Sequence, residues 1–148
     1  MIFFKQYVLT SILTSFLILT SCSKDPQPID FGVDDCDYCK MTISDTRFGA
    51  EIVTDKGRIY KFDDVVCAKG FLNDEIIAEE QVHSIWFVDF MENETLVNAD
   101  SSVLIYNEEL KSPMASNIAA FGNELSLKEY QSQFKGQILK WEDYLKSQ

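Results

Sequence analysis

The strongest strand signal in this 148-residue chain is the stretch His83 to Phe90, which reads His-Ser-Ile-Trp-Phe-Val-Asp-Phe. A short run of β-branched and aromatic residues favours a strand, and one this apolar favours a central position in a sheet. Upstream, Phe48 to Val53 and Arg58 to Phe62 also have strand character, and they flank the turn sequence Thr54-Asp55-Lys56-Gly57. This pattern predicts a hairpin that precedes the central strand.

A helix is predicted between this hairpin and the central strand. Asp63 and Asp64 can cap its N-terminus, and the apolar residues that follow extend it to about Leu72. The first half of the chain therefore reads strand, strand, helix, strand.

The second half repeats this order of elements. It contains two short strands, a helix opened by a capping-box pattern and a last short strand, at Ser102–Tyr106, Asn117–Phe121, Ser126 to about Phe134, and Gln137–Trp141, before an amphipathic tail. We therefore predict an α+β body of two ββαβ modules, at about residues 36–92 and 93–148, with antiparallel or mixed sheets and short helices.

The composition is that of a globular protein with an acidic surface. Apolar residues make up 46% of the chain, and 24 Asp and Glu against 13 Lys and Arg give a net charge of −11. Because no basic residues cluster, nucleic acid is not expected as a partner. A single His excludes sites built on two or three imidazoles. The sequence shows no Ser-His-Asp pattern, glycine-rich phosphate loop or carboxylate constellation, so we do not expect an enzyme.

Residues 1–21 have the features of an export signal. Lys5 precedes an apolar stretch from about Tyr7 to Leu19, which is shorter than the roughly 20 residues that span a bilayer. The sequence Leu19-Thr20-Ser21-Cys22 resembles the lipobox of bacterial lipoproteins, which implies cleavage before Cys22 and its acylation. A plain transmembrane anchor is the alternative. We therefore expect a cell-envelope protein, anchored by Cys22 to a bacterial membrane on the periplasmic side or at the outer membrane.

Residues 22–35 are expected to form a tether between the lipid and the folded body. The stretch from Ser23 to Asp35 has two Pro, one Gly and four Asp and no apolar periodicity. Three cysteines remain in the mature chain once Cys22 is acylated, so at least one of them is free, reactive or bound to something.

The densest group of soft metal ligands follows this tether. Residues 35–41 read Asp-Cys-Asp-Tyr-Cys-Lys-Met, in which Cys36 and Cys39 can meet one ion or each other. Met41 adds a thioether, and thiolate with thioether favours Cu(I) over harder cations. A structural disulfide between Cys36 and Cys39, with Met41 merely packed, is an equally open interpretation in an exported protein. A thioredoxin-like motif is less favoured, because no strand precedes the pair.

Three further residues are candidate ligands. Met114 lies in a loop beside Pro113, where core packing explains a methionine poorly. His83 could complete a three-coordinate copper site, although a lone His is more often a strand-end residue. Cys67 lies within the predicted helix, so a buried free thiol is its first interpretation and metal binding its second. Zinc would need a second ligand pair, for which only Cys67 and His83 are candidates.

Together these features resemble the NosL family, which comprises lipoprotein accessory factors of nitrous oxide reductase. The first motif of that family usually reads C-x-x-C-G-M, and here Cys36, Cys39 and Met41 match it with Lys40 in place of the glycine. The closing stretch Gly136–Glu142 is also similar to the last strand of the family.

The second family motif usually reads P-M-G before a strand. Pro113 and Met114 match it, with Ala115 in place of the glycine. Both departures from the family pattern therefore replace a glycine and leave the sulfur ligands intact.

The resemblance implies a tandem ββαβ fold and a copper chaperone that binds one Cu(I) and passes it to the copper-sulfide centre of nitrous oxide reductase. Matched by position, Cys39, Met41 and Met114 would be the main copper contacts, with Cys36 as a further partner. His83 has no motif to support it. Two other functions stay open: a thiol-disulfide redox module, and a metal-free lipoprotein domain whose acidic surface docks a basic partner.

Overall fold

The computed structural model describes residues 23–147. Its strands are β1 Ala50–Thr54, β2 Ile59–Phe62, β3 Val82–Val88, β4 Leu96–Asn98, β5 Val103–Tyr106, β6 Ile118–Phe121 and β7 Gln137–Leu139. Its α-helices are α1 Val65–Asn73, α2 Glu124–Gln133 and α3 Trp141–Lys146, and a 3₁₀ turn covers Glu79–Gln81. The predicted export signal and Cys22 lie outside the described residues. Over residues 23–147, none of the helices has the length and apolar character needed to cross a membrane.

The first sheet has the strand order β2-β1-β3-β4, and each neighbouring pair is antiparallel. Ala50 of β1 pairs with Phe62 on one side and with Phe87 on the other. The hairpin and the interior position of β3 are confirmed. The sequence did not predict β4, because three residues are too few to show an alternating pattern.

Helix α1 packs on the first sheet and begins where the sequence predicts. Its N-cap is Asp64, whose carboxylate accepts a hydrogen bond from the Val66 backbone N–H at 3.2 Å. The ring of Phe71 from α1 meets that of Phe62 from β2 in an edge-to-face contact at 5.2 Å. The helix is therefore fixed by its apolar face, and its N-terminus lies at the end of β2.

The second sheet has the order β6-β5-β7 and is covered by α2. The N-cap of α2 is Asn123, which accepts a hydrogen bond from the Ser126 N–H at 2.9 Å, and not Ser126 as predicted. The prediction of a strand through Trp141 was also wrong at its end. Trp141 begins α3 and is buried, with its ring 5.1 Å from that of Phe87 in the first sheet.

The two sheets share one core, and the fold is α+β as predicted. Leu104 of β5 and Ala120 of β6 belong to the same buried cluster as Phe87 of β3. A parallel bridge between Asp89 and Ala120 joins the sheets directly.

Residues 23–35, predicted to be a tether, lie along the first sheet as a strap. Ile29 is buried, and the Gln27 N–H donates to Glu51 Oε1 at 2.9 Å. The Lys61 Nζ donates to the Pro28 carbonyl at 2.8 Å. This N-terminal strap therefore leads directly into the C-x-x-C segment and sets its position on the sheet.

Candidate metal centre

The C-x-x-C segment forms a tight turn on the free edge of β2. The Asp37 N–H donates to the Lys61 carbonyl at 2.8 Å, and the Lys61 N–H donates back to Asp37 Oδ2 at 2.9 Å. Within the turn, the Cys36 N–H donates to the Met41 carbonyl at 2.8 Å, and the Lys40 N–H donates to the Cys36 carbonyl at 3.0 Å. These bonds fold Cys36–Met41 back on itself, so that the cysteine sulfurs can share one side.

A contact between Tyr38 and Gly70 locks this turn onto α1. A Cβ atom at Gly70 would lie 2.6 Å from Cζ of Tyr38, so any larger residue would require the ring to move. The Tyr38 hydroxyl also donates to Asp74 Oδ2 at 2.8 Å. Cys67 lies about one turn before Gly70 on the helix, and the same contact therefore holds the C-x-x-C turn against Cys67.

Three thiols and one carboxylate meet at this point. The Sγ atoms of Cys36, Cys39 and Cys67 and a carboxylate oxygen of Asp63 all lie within 4.8 Å of one another. Cys39 is half-buried and the other three are buried. All three cysteines are free thiols. We call these four residues the thiol cluster.

The three thiols of the cluster differ in their pKa values. The pKa of Cys36 is lowered to about 6, mainly by a hydrogen bond from Cys67, with further help from the backbone N–H groups of Asp63, Cys39 and Tyr38. The same hydrogen bond raises the pKa of Cys67 far above its ordinary range. Burial, together with the neighbouring Cys36 and Asp63, raises the pKa of Cys39 to about 11. Near neutral pH the cluster therefore holds one thiolate and two thiols.

Asp63 has an unsatisfied oxygen that faces away from water. Its Oδ1 accepts a weak hydrogen bond from the Cys39 thiol at 3.5 Å. Its Oδ2 has no hydrogen-bond partner among residues 23–147, although the residue is only 1% exposed. A buried carboxylate oxygen without a partner is costly, and a cation beside it would remove that cost.

The loop that carries Met114 is tied to the same end of α1. The Met114 N–H donates to Asp64 Oδ2 at 3.0 Å, and the Ser116 hydroxyl donates to Asp64 Oδ1 at 2.5 Å. Because Asp64 directly follows Asp63, this loop lies next to the thiol cluster. The side chains of Met114 and Met41 are 38% and 48% exposed. The structure therefore brings both sulfur-bearing loops together, with their thioethers at the surface.

Both positions at which a glycine of the family motifs is replaced keep a glycine-like backbone. Lys40 has φ +66° and Ala115 has φ +56°. The left-handed region costs a residue with a Cβ about 1–2 kcal/mol. The turn and the Met114 loop therefore keep this shape although neither replacement favours it.

His83 is not brought to the thiol cluster. In the first sheet, Thr54 pairs with Val82 at one end and Ala50 pairs with Phe87 at the other. Asp63 lies next to the end of the sheet that contains Phe87, because it follows Phe62, the other partner of Ala50. His83 lies at the opposite end, next to Val82, so roughly 13 Å of strand separates His83 from the end near Asp63. The His83 Nδ1 instead lies 3.4 Å from Asp55 Oδ1.

Two residues of the cluster were not foreseen as its core. Asp63 was interpreted only as a helix cap, and Cys67 mainly as a buried thiol. The signal that could have found them is their spacing of four residues at a helix N-terminus, which places both side chains near one another.

Comparisons with known proteins agree with this architecture. The crystal structure of the copper chaperone NosL from Shewanella denitrificans superimposes with a TM-score of 0.69 at 20% identity, covering 85% of this chain and 99% of that one. This likeness shows a shared fold. No curated protein sequence matches significantly. The family model described as NosL matches residues 29–147, which is most of the chain. The chain belongs to the NosL family.

Proposed function

We propose that this protein is a copper chaperone of the cell envelope, which carries one Cu(I) ion and delivers it to the copper-sulfide centre of nitrous oxide reductase. The observation that carries the proposal is the thiol cluster, which gathers three sulfur donors from two separate elements. The solved relative from Shewanella denitrificans is itself described as a copper chaperone. Membership of the NosL family also supports the expectation of a protein that is not an enzyme.

The spacing of the sulfurs suits a small, soft ion. With metal–sulfur bonds of about 2.3 Å, three ligands in a trigonal plane are about 4 Å apart. The observed separations of up to 4.8 Å need only a small contraction to reach this arrangement. Thiolate donors select Cu(I) over harder cations, so the donor set favours a cuprous cargo.

The charges of the cluster also favour a bound cation. The low pKa of Cys36 supplies a thiolate before copper arrives, and Asp63 adds a carboxylate with a free oxygen. Loading of Cys39 and Cys67 then requires each to lose its proton, because the pKa of both thiols is raised. Copper binding by all three sulfurs should therefore be coupled to the release of about two protons near neutral pH.

The ion can leave through the exposed side of the cluster. Cys39 is half-buried, and Met41 and Met114 are exposed at the surface. Neutral thioethers can complete the coordination from this side and give way to the ligands of an incoming protein. We propose that Cys36, Cys39 and Cys67 hold the ion. Met41 and Met114 bind it transiently while it passes to the partner protein.

A thiol-disulfide redox module is the second candidate, because a depressed thiol pKa such as that of Cys36 is typical of redox cysteines. The third thiol, Cys67, favours metal binding, since a dithiol pair needs no further sulfur. Reductase activity on a disulfide substrate separates the two: a chaperone should show little. A metal-free docking domain predicts no Cu(I) uptake even after full reduction.

Titration of reduced protein with Cu(I) against a competing chelator tests the copper site. We expect one ion per chain, and at least roughly tenfold weaker binding in Cys39→Ser and Cys67→Ser. Met114→Leu, which keeps the volume and removes the sulfur, should weaken binding less. Met91→Leu is the matched control, because Met91 is 40% exposed but lies in the loop after β3. Unchanged affinity in both cysteine variants would rule out the assigned site.

Delivery and anchoring need separate tests. Copper-loaded protein should restore activity to copper-depleted nitrous oxide reductase, and the Cys39→Ser variant should restore much less at the same total copper. Mass spectrometry of the mature protein should show lipid on Cys22. Restoration by free Cu(I) at the same rate would argue against a dedicated carrier.

A further inference from the structure

The N-terminal strap runs along the length of the first sheet, from one end to the other. At its start, the Lys24 Nζ lies 3.0 Å from Asp55 Oδ1 in the turn between β1 and β2. Further along, Gln27 bonds to Glu51 near the start of β1, and Asp34 pairs at 2.6 Å with Lys61, the residue opposite Glu51 in β2. The strap thus fixes the direction in which the chain leaves the body.

The thiol cluster lies at the far end of this path. Ala50, the first residue of β1, pairs with Phe62, and Asp63 of the cluster directly follows Phe62 in the chain. Asp55 lies just beyond the opposite end of β1. At 3.3 Å a residue, the strand path from Asp55 to Asp63 is about 20 Å long. The start of the strap and the thiol cluster are therefore at opposite ends of the sheet.

Little free chain remains between the strap and the predicted anchor. Cys22 immediately precedes Ser23, whose hydroxyl donates to Asp25 Oδ2 at 2.6 Å. The bond from Lys24 to Asp55 follows at the next residue. Cys22 is therefore only two residues, or roughly 7 Å of chain, before Lys24, whose side chain contacts the β1–β2 turn.

We propose that the β1–β2 turn is the membrane-facing end of the protein, and that the thiol cluster points away from the bilayer toward soluble partners. This inference rests on the Cys22 anchor of the proposed function and is independent of copper. An anchor on a long flexible tether would leave the body free to tumble and either end free to touch the lipid. Here the contacts of Lys24, Gln27 and Asp34 with the sheet restrict that freedom.

The consequence is a defined direction of copper exchange. With the cluster about 20 Å beyond the lipid-facing turn, a partner must approach from the aqueous side to reach Met41 and Met114. A soluble acceptor fits this geometry, whereas a donor whose ligands lie at the bilayer surface does not.

Paramagnetic relaxation of backbone amides tests the orientation. Copper-free, ¹⁵N-labelled lipidated protein is placed on nanodiscs that carry a small fraction of gadolinium-chelating lipid. Because the enhancement falls steeply with distance, a separation of about 20 Å should make it at least roughly tenfold larger at residues 54–57 than at residues 39–41 and Met114. The chain beginning at Ser23, without lipid, is the control and should show no such pattern.

Equal enhancement at both ends, or a larger one at residues 39–41, would overturn the proposal. Absence of lipid on Cys22 would overturn it as well. Failure of Cu(I) binding would contradict the proposed function and leave this result unaffected, since the relaxation measurement uses copper-free protein.

A variant of the strap distinguishes the effect of the strap on the orientation from that of the lipid anchor. The double variant Lys24→Ala/Gln27→Pro removes both the ion pair to Asp55 and the N–H that donates to Glu51. It should keep the lipid on Cys22 but reduce the difference between the two ends at least threefold. An unchanged difference in this variant would show that the strap does not set the orientation.

Discussion

Replacement of Asp64 by Ala should loosen the Met114 loop and the start of α1 together. The Asp64 carboxylate is fully buried and accepts three hydrogen bonds. They come from the Val66 N–H at 3.2 Å, the Met114 N–H at 3.0 Å and the Ser116 hydroxyl at 2.5 Å. One side chain thus joins the helix to the loop that carries an exchange ligand.

The size of the effect follows from these three bonds. Loss of an N-cap costs about 1 kcal/mol. Each hydrogen bond to a charged group contributes about 1.5–3 kcal/mol, although water can reach the loop after truncation and recover part of this. We expect the free energy of unfolding to fall by about 3 kcal/mol. With an unfolding entropy of about 2.1 cal/mol/K per residue over some 125 residues, Tm should fall by roughly 10 °C.

Thermal unfolding and Cu(I) competition measure the two consequences. Asp64→Asn should lose about half as much stability, because its amide oxygen can still cap Val66. Asp100→Ala is the control, since Asp100 is exposed and its carboxylate makes no hydrogen bond within residues 23–147. A Tm change below roughly 3 °C for Asp64→Ala, or copper affinity unaltered despite the expected loss of stability, would refute the reasoning.

Four further outcomes follow from other parts of the structure. Ala115→Gly should raise the free energy of unfolding by about 0.5–1 kcal/mol, as measured by the urea midpoint. Relief of the backbone strain at φ +56° outweighs the entropy that glycine adds to the unfolded chain. Gly70→Ala should cost about 1–3 kcal/mol and weaken Cu(I) binding, and adding Tyr38→Ala should recover the stability if the ring clash is the cause. Burial raises the pKa of Glu51 from its ordinary 4.5 to about 7, so its stabilising contribution is complete below 4.5 and is lost as the pH rises through 7. In Glu51→Gln, the urea midpoint should therefore fall less between about pH 5 and pH 8 than in the unaltered protein. An equally large fall would show that other groups cause this pH dependence. Calorimetry of Cu(I) binding in buffers of different ionisation enthalpy should report the release of about two protons near pH 7.5, from Cys39 and Cys67, whereas three would contradict a preformed thiolate on Cys36.

The elements that the sequence predicted correctly are those whose signal is local. The turn at residues 54–57 and the apolar run of β3 define the first sheet without reference to distant residues. The start of α3 at Trp141 could not be read in this way, because its helix is fixed by packing on Phe87 in the other sheet. The three residues of β4 likewise gain their structure from pairing with β3.

The same division applies to the candidate site. Cys36, Cys39 and Met41 are adjacent in sequence, so their convergence was foreseeable. Cys67 joins them through the packing of α1 on the sheet and the fit of Tyr38 over Gly70, a contact between segments about 30 residues apart. The role of Asp63 depends on the same packing, which leaves one of its oxygens buried and unpaired.

X-ray absorption at the copper edge of protein loaded with one Cu(I) tests the central claim most directly. We predict two or three sulfur neighbours at about 2.3 Å, and one fewer in Cys67→Ser. A first shell made only of nitrogen or oxygen, or a spectrum of the Cys67→Ser variant identical to that of the unaltered protein, would contradict a cuprous ion held by the thiol cluster.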